Sequence, residues 1–374
     1  IEAAELPSTL KSSNISAVDD RLVDTGAKLS KMVAELKTSD VFAFDTETTS
    51  EHAMQAQLVG LSFSNAQGKG WYVPIGHITP VEIELGREPE KIIQMPMSEV
   101  LDTLRPLLEN ESIGKIAHNA KYDITVLANH GVEVRNLTFD TMLAAHLIGR
   151  RSVGLKTLAR DLLGEEMTPI KDLIGSGKKQ ITMALVPIKQ VAPYASADAD
   201  FTYRLYDIFS EELERMGLMD SIEVVEIPLV HVLVRMQRTG LALNVGPLRE
   251  MSTELGERLA KVERSMYALV GYEFKIGSSQ QLANVLYGTL KLPPMRKTKS
   301  GYSTDAASLD YLNEMLDTGA LENVDPRAYD IINHVMEFRE LSKLKSTYVD
   351  ALPRMVNPHT GRVHTSYNQT GTAT

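Results

Sequence analysis

The chain is 374 residues long, 43% hydrophobic and 24% charged, enough for two domains that each bury a core. It has no cysteine, which excludes disulfides, thiolate zinc sites and thiol nucleophiles. A net charge of −10 argues against a nonspecific nucleic-acid coat, whose footprint is basic, yet allows an acidic metal site in one domain and basic contacts in another.

Residues 1–29 carry Ser, Asp and Lys without sustained period and read as a surface leader. From 30 to 213, strand-like and helix-like stretches alternate. "VFAFD", "LVGLSFS" (58–64) and "GWYVPI" (70–75) read as three strands of a meander. Met97 to Leu108 has helical spacing, "GKIAH" (114–118) is a short strand, and Ala120 to Asn129 is a helix closed by Gly131. The fold class is α/β: a mixed sheet flanked by helices. From 214 to 374 the pattern is mainly helical. Leu248, Met251, Leu255, Leu259, Val262, Met266 and Leu269 form one apolar stripe, and Val335, Phe338, Leu341, Leu344 and Tyr348 a second. Between them "KLPPMRKTKSG" (291–301) carries four basic residues and no acid, which predicts a helical hairpin with a positive tip. A plain helical domain with a solvated loop fits the stripes equally well. No signal peptide or membrane-length apolar run is visible, and a cytoplasmic location is expected. The chain starts at Ile1, without Met, and stops in "TSYNQTGTAT", which reads as a piece of something longer.

The apolar run Val41–Phe44 leads straight into Asp45 and then Glu47. Alternation along a strand puts both acids on one face, where lost hydration and mutual repulsion call for a cation. Asp123, in "HNAKYD", falls in the first turn of a helix; taken alone it is more readily a dipole-favoured acid than a ligand. Asp198, in "PYASADADFT", lies four residues after Tyr194 on one helix face, with Pro193 suited to the first helical position; alone it reads as a solvated acid. Asp140, in "TFDTM", reads as a helix cap.

As a set, D-x-E on a strand, N-x-K-Y-D and Y-x-x-x-D on a helix resemble the proofreading exonucleases of the DEDDy type. "FDTETTS", "GKIAHNAKYDITVLANHGVEVRNLTFDTMLAAHLI", "GSGKKQIT" and "YASADADFTYRL" follow the order of the exonuclease domain of bacterial family A DNA polymerases. "LVRMQRTGLALN", "SSQQLANVLY" and "RELSKLKSTYVDALPRMVNPHTGRVHTSYNQTGTAT" resemble that family's thumb and its approach to the palm. The resemblance implies a ribonuclease-H-like exonuclease domain over 30–213, then a helical thumb and the start of a palm. It implies that Asp45, Glu47, Asp123 and Asp198 bind two Mg²⁺ ions, for which Mn²⁺ can substitute, and that Tyr194, paired with Glu47, positions the attacking water. Asn119 and Lys121 would lie beside the bound strand end, and Arg296, Lys297 and Lys299 would hold duplex phosphates. Where the family often has a leucine after D-x-E this chain has Glu51, leaving Met54 as the nearest apolar residue to pack on a terminal base. The expected partners are primer-template DNA and single-stranded 3′ ends. Deoxynucleotides are expected only with palm and fingers, on a continuation of the chain or on a second polypeptide. A free-standing RNA-processing exonuclease and a catalytically silent scaffold are the alternative readings.

Overall fold

The computed structural model describes residues 19–78, 92–299, 301–321 and 323–371. Two compact units form, one from the residues up to Thr239 together with those from Thr365 on, the other from Gly240 to His364.

The first unit is built on a six-stranded mixed sheet. Strands β2 (Val41–Thr48), β3 (Leu58–Ser64) and β4 (Lys69–Pro74) form the expected antiparallel meander. On the far side of β2, β5 (Gly114–Ala117) and β6 (Leu137–Asp140) continue the sheet in parallel. The sixth strand, β1 (Asp19–Leu22), pairs in parallel with β4, and α1 (Gly26–Leu36) follows with Thr25 as its cap. Val23 and Leu29 are buried in the core, so residues 19–29 are no surface leader. The rest of that expected leader, residues 1–18, lies outside the described residues.

Helices α2 (Met97–Leu108) and α3 (Ala120–Asn129) have the bounds that their apolar spacing predicts. They are followed by α4 (Thr141–Leu147), α5 (Leu155–Leu158), α6 (Ile170–Ile174), α7 (Ile188–Met216) and α8 (Ile227–Thr239). Helix α7 begins at Ile188 with Pro187 before it, so Pro193 is inside the helix and not at its first position. This long helix crosses β2, β3 and β4. Gly70 on β4 permits the approach, because a Cβ there would stand 2.5 Å from the Ser196 carbonyl oxygen. Helix α8, expected in the thumb, packs in the first unit on α3 and β6. Its apolar face, Ile227, Val230 and Val234, joins the core of the first unit, so this compact unit runs on to Thr239.

The second unit holds α9 (Val245–Val270), α10 (Ser279–Ala283), α11 (Ala306–Asp317) and α12 (Ala328–Lys343), with β7 (Leu241–Ala242) paired to β10 (Arg362–Val363). The two predicted stripes meet where α9 packs on α12, but Met251, Leu344 and Tyr348 are exposed. The segment between them is not a bare tip. It folds through α10, a short hairpin of β8 (Lys297–Thr298) and β9 (Gly301–Tyr302), and α11. No helix of the described residues is long and apolar enough to cross a membrane.

Candidate active site

Strand β2 carries Asp45 and Glu47 to the end of the sheet, where a register shift at Glu47/Thr48 interrupts its pairing with β3. Asp198 comes from α7, laid over the same strands. One carboxylate oxygen from each of Asp45, Glu47 and Asp198 lies within 4.8 Å of the other two. Glu47 Oε1 and Asp198 Oδ1 are buried without any hydrogen-bond partner. Burial raises Glu47 well above the ordinary carboxylate range, with the charges of Asp198 and Asp123 adding to it. Asp45 is raised well above its usual value by the same two causes, burial first and then the charges of Asp123, Glu47 and Asp198. Asp198 is pushed up to about 7 by burial.

Asp123 stands apart from this trio. It is buried in the first turn of α3, and its Oδ1 accepts from the Thr46 backbone N–H at 3.0 Å and the Thr46 hydroxyl at 2.6 Å. Its pKa still rises to about 7, because desolvation outweighs those hydrogen bonds. Asp123 therefore contributes charge next to the trio while its Oδ1 is already engaged by Thr46.

The side chain that Tyr194 pairs with is Asp198, one helical turn along α7, where the resemblance named Glu47. Burial and the charges of Asp198, Glu47 and Asp45 hold the phenol far above its ordinary range, so it remains a neutral donor at any working pH. Sequence reasoning missed Lys156. This lysine on α5 places its Nζ 4.9 Å from the centre of the Tyr194 ring, and its charge lowers both Glu47 and Asp198. Only its proximity in the fold reveals it. Tyr122 was missed as well. Its hydroxyl meets Thr48 Oγ1 and donates to the Ser50 carbonyl, pinning the chain that leaves β2.

Other expected residues fall outside the trio. Asn119 has left-handed backbone (φ 66°) at the head of α3, and its N–H donates to Asp140. Lys121 is buried, with its ammonium donating to the Tyr367 carbonyl. Glu51 is exposed, and Met54 is half-buried with its sulfur 3.7 Å from Asn129 Nδ2. Asp140 is the cap that was expected, and it serves two helices. Its carboxylate accepts from Met142 and Leu143 at the head of α4, and from Asn119 and Ala120 at the head of α3.

In the second unit, Arg296 is paired with Asp305, while Lys297 and Lys299 are exposed on the hairpin. Beside them opens a cavity of about 1420 Å³ with a mixed lining, whose polar part includes Ser279, Gln280, Asn284, Thr298 and Lys343.

The 3′–5′ exonuclease family profile matches residues 21–214, and the DNA polymerase family A profile matches residues 246–374. DNA polymerase I of Chloroflexus aurantiacus is 42% identical over 94% of this chain and 36% of its own length. DNA polymerase I of Pseudomonas aeruginosa is 37% identical over 96% of this chain and 38% of its own. The chain thus spans little more than a third of these relatives. A solved structure, the POL domain of Pol1 from M. smegmatis in complex with DNA primer-template and dNTP, matches with a TM-score of 0.70 and 26% identity over 94% of this chain and 53% of that one. The chain belongs to the family A DNA polymerases and carries their 3′–5′ exonuclease domain.

Proposed function

We propose that the first unit is a metal-dependent proofreading nuclease that removes mismatched nucleotides from DNA 3′ ends, and that the second unit grips primer-template duplex. The observation that carries the reading is the convergence of Asp45, Glu47 and Asp198 with two buried carboxylate oxygens left unpartnered. Uncompensated acids at that spacing are costly, and a cation removes the cost. The donor set is oxygen only, which suits hard divalent cations such as Mg²⁺ or Mn²⁺. Asp45, Glu47 and Asp198 would hold them, with Asp123 adding charge from behind Thr46. Bound there, a pair of such cations supplies an activated water and neutralises charge on the phosphate and the leaving oxygen.

The chain's own groups do the rest. Tyr194 is a neutral donor fixed at Asp198, suited to orient a water at the carboxylates. Thr46 holds the Asp123 carboxylate in one orientation. A frayed single strand reaches such a recessed site more readily than a duplex does, which is what selects a mismatched end. In the second unit, the hydroxyl and amide side chains lining the cavity, with Lys297 and Lys299 at its hairpin, fit contacts to phosphate and sugar, which add affinity without sequence preference. Arg296 is a weaker candidate because Asp305 already takes its charge. We assign the activity to the cytoplasm and reserve synthesis from deoxynucleotides for a polypeptide that also supplies palm and fingers.

The test is digestion of a 5′-labelled primer with a mismatched 3′ end, in Mg²⁺ and in EDTA, beside Asp45→Ala. A ladder shortening from the 3′ end, lost in EDTA and lowered by about 10³-fold in the variant, is expected. Intact primer at every Mg²⁺ and Mn²⁺ concentration would refute the nuclease reading.

A further inference from the structure

The carboxylates of the site have no close ion pair with lysine or arginine among the described residues, yet one cation is built in beside them. Lys156 is only partly exposed, on the short helix α5, which Leu158 and the following Ala159 anchor in the interior. Its ammonium donates to the Thr168 backbone carbonyl at 2.8 Å, which ties it to the segment leading into α6. From there it stands 4.9 Å from the centroid of the Tyr194 ring, inside the range where a cation is drawn to an aromatic face. Two anchors on separate segments thus define where the ammonium sits, and the ring is the group it covers. An ammonium has three N–H donors, and the Thr168 carbonyl occupies one.

Resting on the exonuclease reading above, we propose that Lys156 is a positioning residue of the nuclease site: its ammonium, tethered to Thr168, holds the Tyr194 ring against the carboxylates so that the phenol meets the attacking water.

Without that cation, the ring would keep its packing on the apolar cluster around Val59 and Val191 and its bond to Asp198, but nothing would hold its exposed face toward the acids. Lys156 also offsets charge on Asp198 and Glu47, and Asp172 shares it from the outer side. Arg at this position would keep a cation on the ring face, whereas Gln would keep length and polarity without charge.

The experiment uses the full chain with a single-stranded DNA substrate in Mg²⁺, and separately a chain carrying 3-fluorotyrosine at position 194 alone. Lys156→Gln is expected to lower kcat about tenfold with KM unchanged, and Lys156→Arg to stay within about threefold of the parent. In a Tyr194→Phe background, Lys156→Gln should cost little more, because the two residues act as one unit. The ¹⁹F resonance at position 194 should move in Lys156→Gln and stay close to the parent position in Lys156→Arg. An unmoved resonance in Lys156→Gln overturns the proposal, as does an undiminished loss of kcat in the Tyr194→Phe background. If the parent chain cuts no DNA while the resonance moves as expected, the nuclease reading fails and the placement of the ring by Lys156 stands.

Discussion

The first unit buries carboxylates in two places and treats them in opposite ways. At the corner where β6 ends, Asp140 is buried and receives four backbone N–H groups from the starts of α3 and α4. At the end of β2, Glu47 and Asp198 are also buried, though less completely, and each keeps a buried oxygen with no hydrogen-bond partner. Burial raises the pKa in both places, but only at Asp140 do hydrogen bonds from several backbone amides work against it. The Asp140 corner is finished by the fold itself, whereas the acids of the cleft keep buried acceptors that the fold leaves unused. One position holds the structure together; the other stores an instability.

The comparison breaks most sharply if one substitution is made at each place. Asp198→Asn keeps shape and removes one charge from the cleft. It should lower nuclease activity by about 10³-fold, and in EDTA at pH 8 it should raise Tm by a few degrees, because a buried like charge is gone. Asp140→Ala should do the reverse. Four amides lose their acceptor, and the expected cost is about 3 kcal/mol of stability, read in urea or thermal unfolding, while the protein that stays folded still digests DNA. Loss of activity with no gain in stability at Asp198, or a negligible cost at Asp140, would show that the two acids do not differ in kind.

The pH dependence of stability tests the same contrast with smaller effects. Asp123 and Asp198 have folded values of about 7 against an ordinary 3.8, so between those limits the folded chain binds more protons than the unfolded one. Stability is therefore fully present below about pH 4 for these groups and is lost as pH rises through about 7. In EDTA, Tm should be higher at pH 5 than at pH 8 by about 5 °C, and the slope should be shallower in Asp198→Asn. Saturating Mg²⁺ at pH 8 should recover the difference, since a ligand of the folded state alone stabilises it.

Much of this contrast could be read from the chain, and the exceptions have physical causes. The Val41–Phe44 run, the alternation that joins Asp45 to Glu47 and the four-residue step from Tyr194 to Asp198 are local, so spacing exposed them. The cap at Asp140 was local for α4, but its second role at α3 depends on β5 and β6 lying side by side. β1 escaped notice because "DDRL" is charged and earns its place only by pairing with β4. The basic segment at 291–301 looked like a tip because composition cannot show that Arg296 will fold back onto Asp305 and that Lys297 will pair with Tyr302. Lys156 could not be found by motif at all: its meaning lies in the Tyr194 ring that α7 brings beneath it.

Asp123 lies between the two extremes and offers the finest test. Like Asp140 it has polar partners, the N–H and hydroxyl of Thr46, and like Asp198 it titrates at about 7. Thr46→Val keeps the shape and the backbone N–H and deletes only the 2.6 Å hydroxyl bond. A hydrogen bond to a charged group favours its ionised form, so the folded pKa of Asp123 should climb by about one unit, read from its carboxyl ¹³C shift in EDTA. The stability cost at pH 8 should be about 1 kcal/mol, and it should shrink at pH 5, where the carboxyl is protonated and needs the hydroxyl less. A cost equal at both pH values would mean that Thr46 packs against Asp123 without bearing on its charge, and Asp123 would then belong with the uncompensated acids of the cleft.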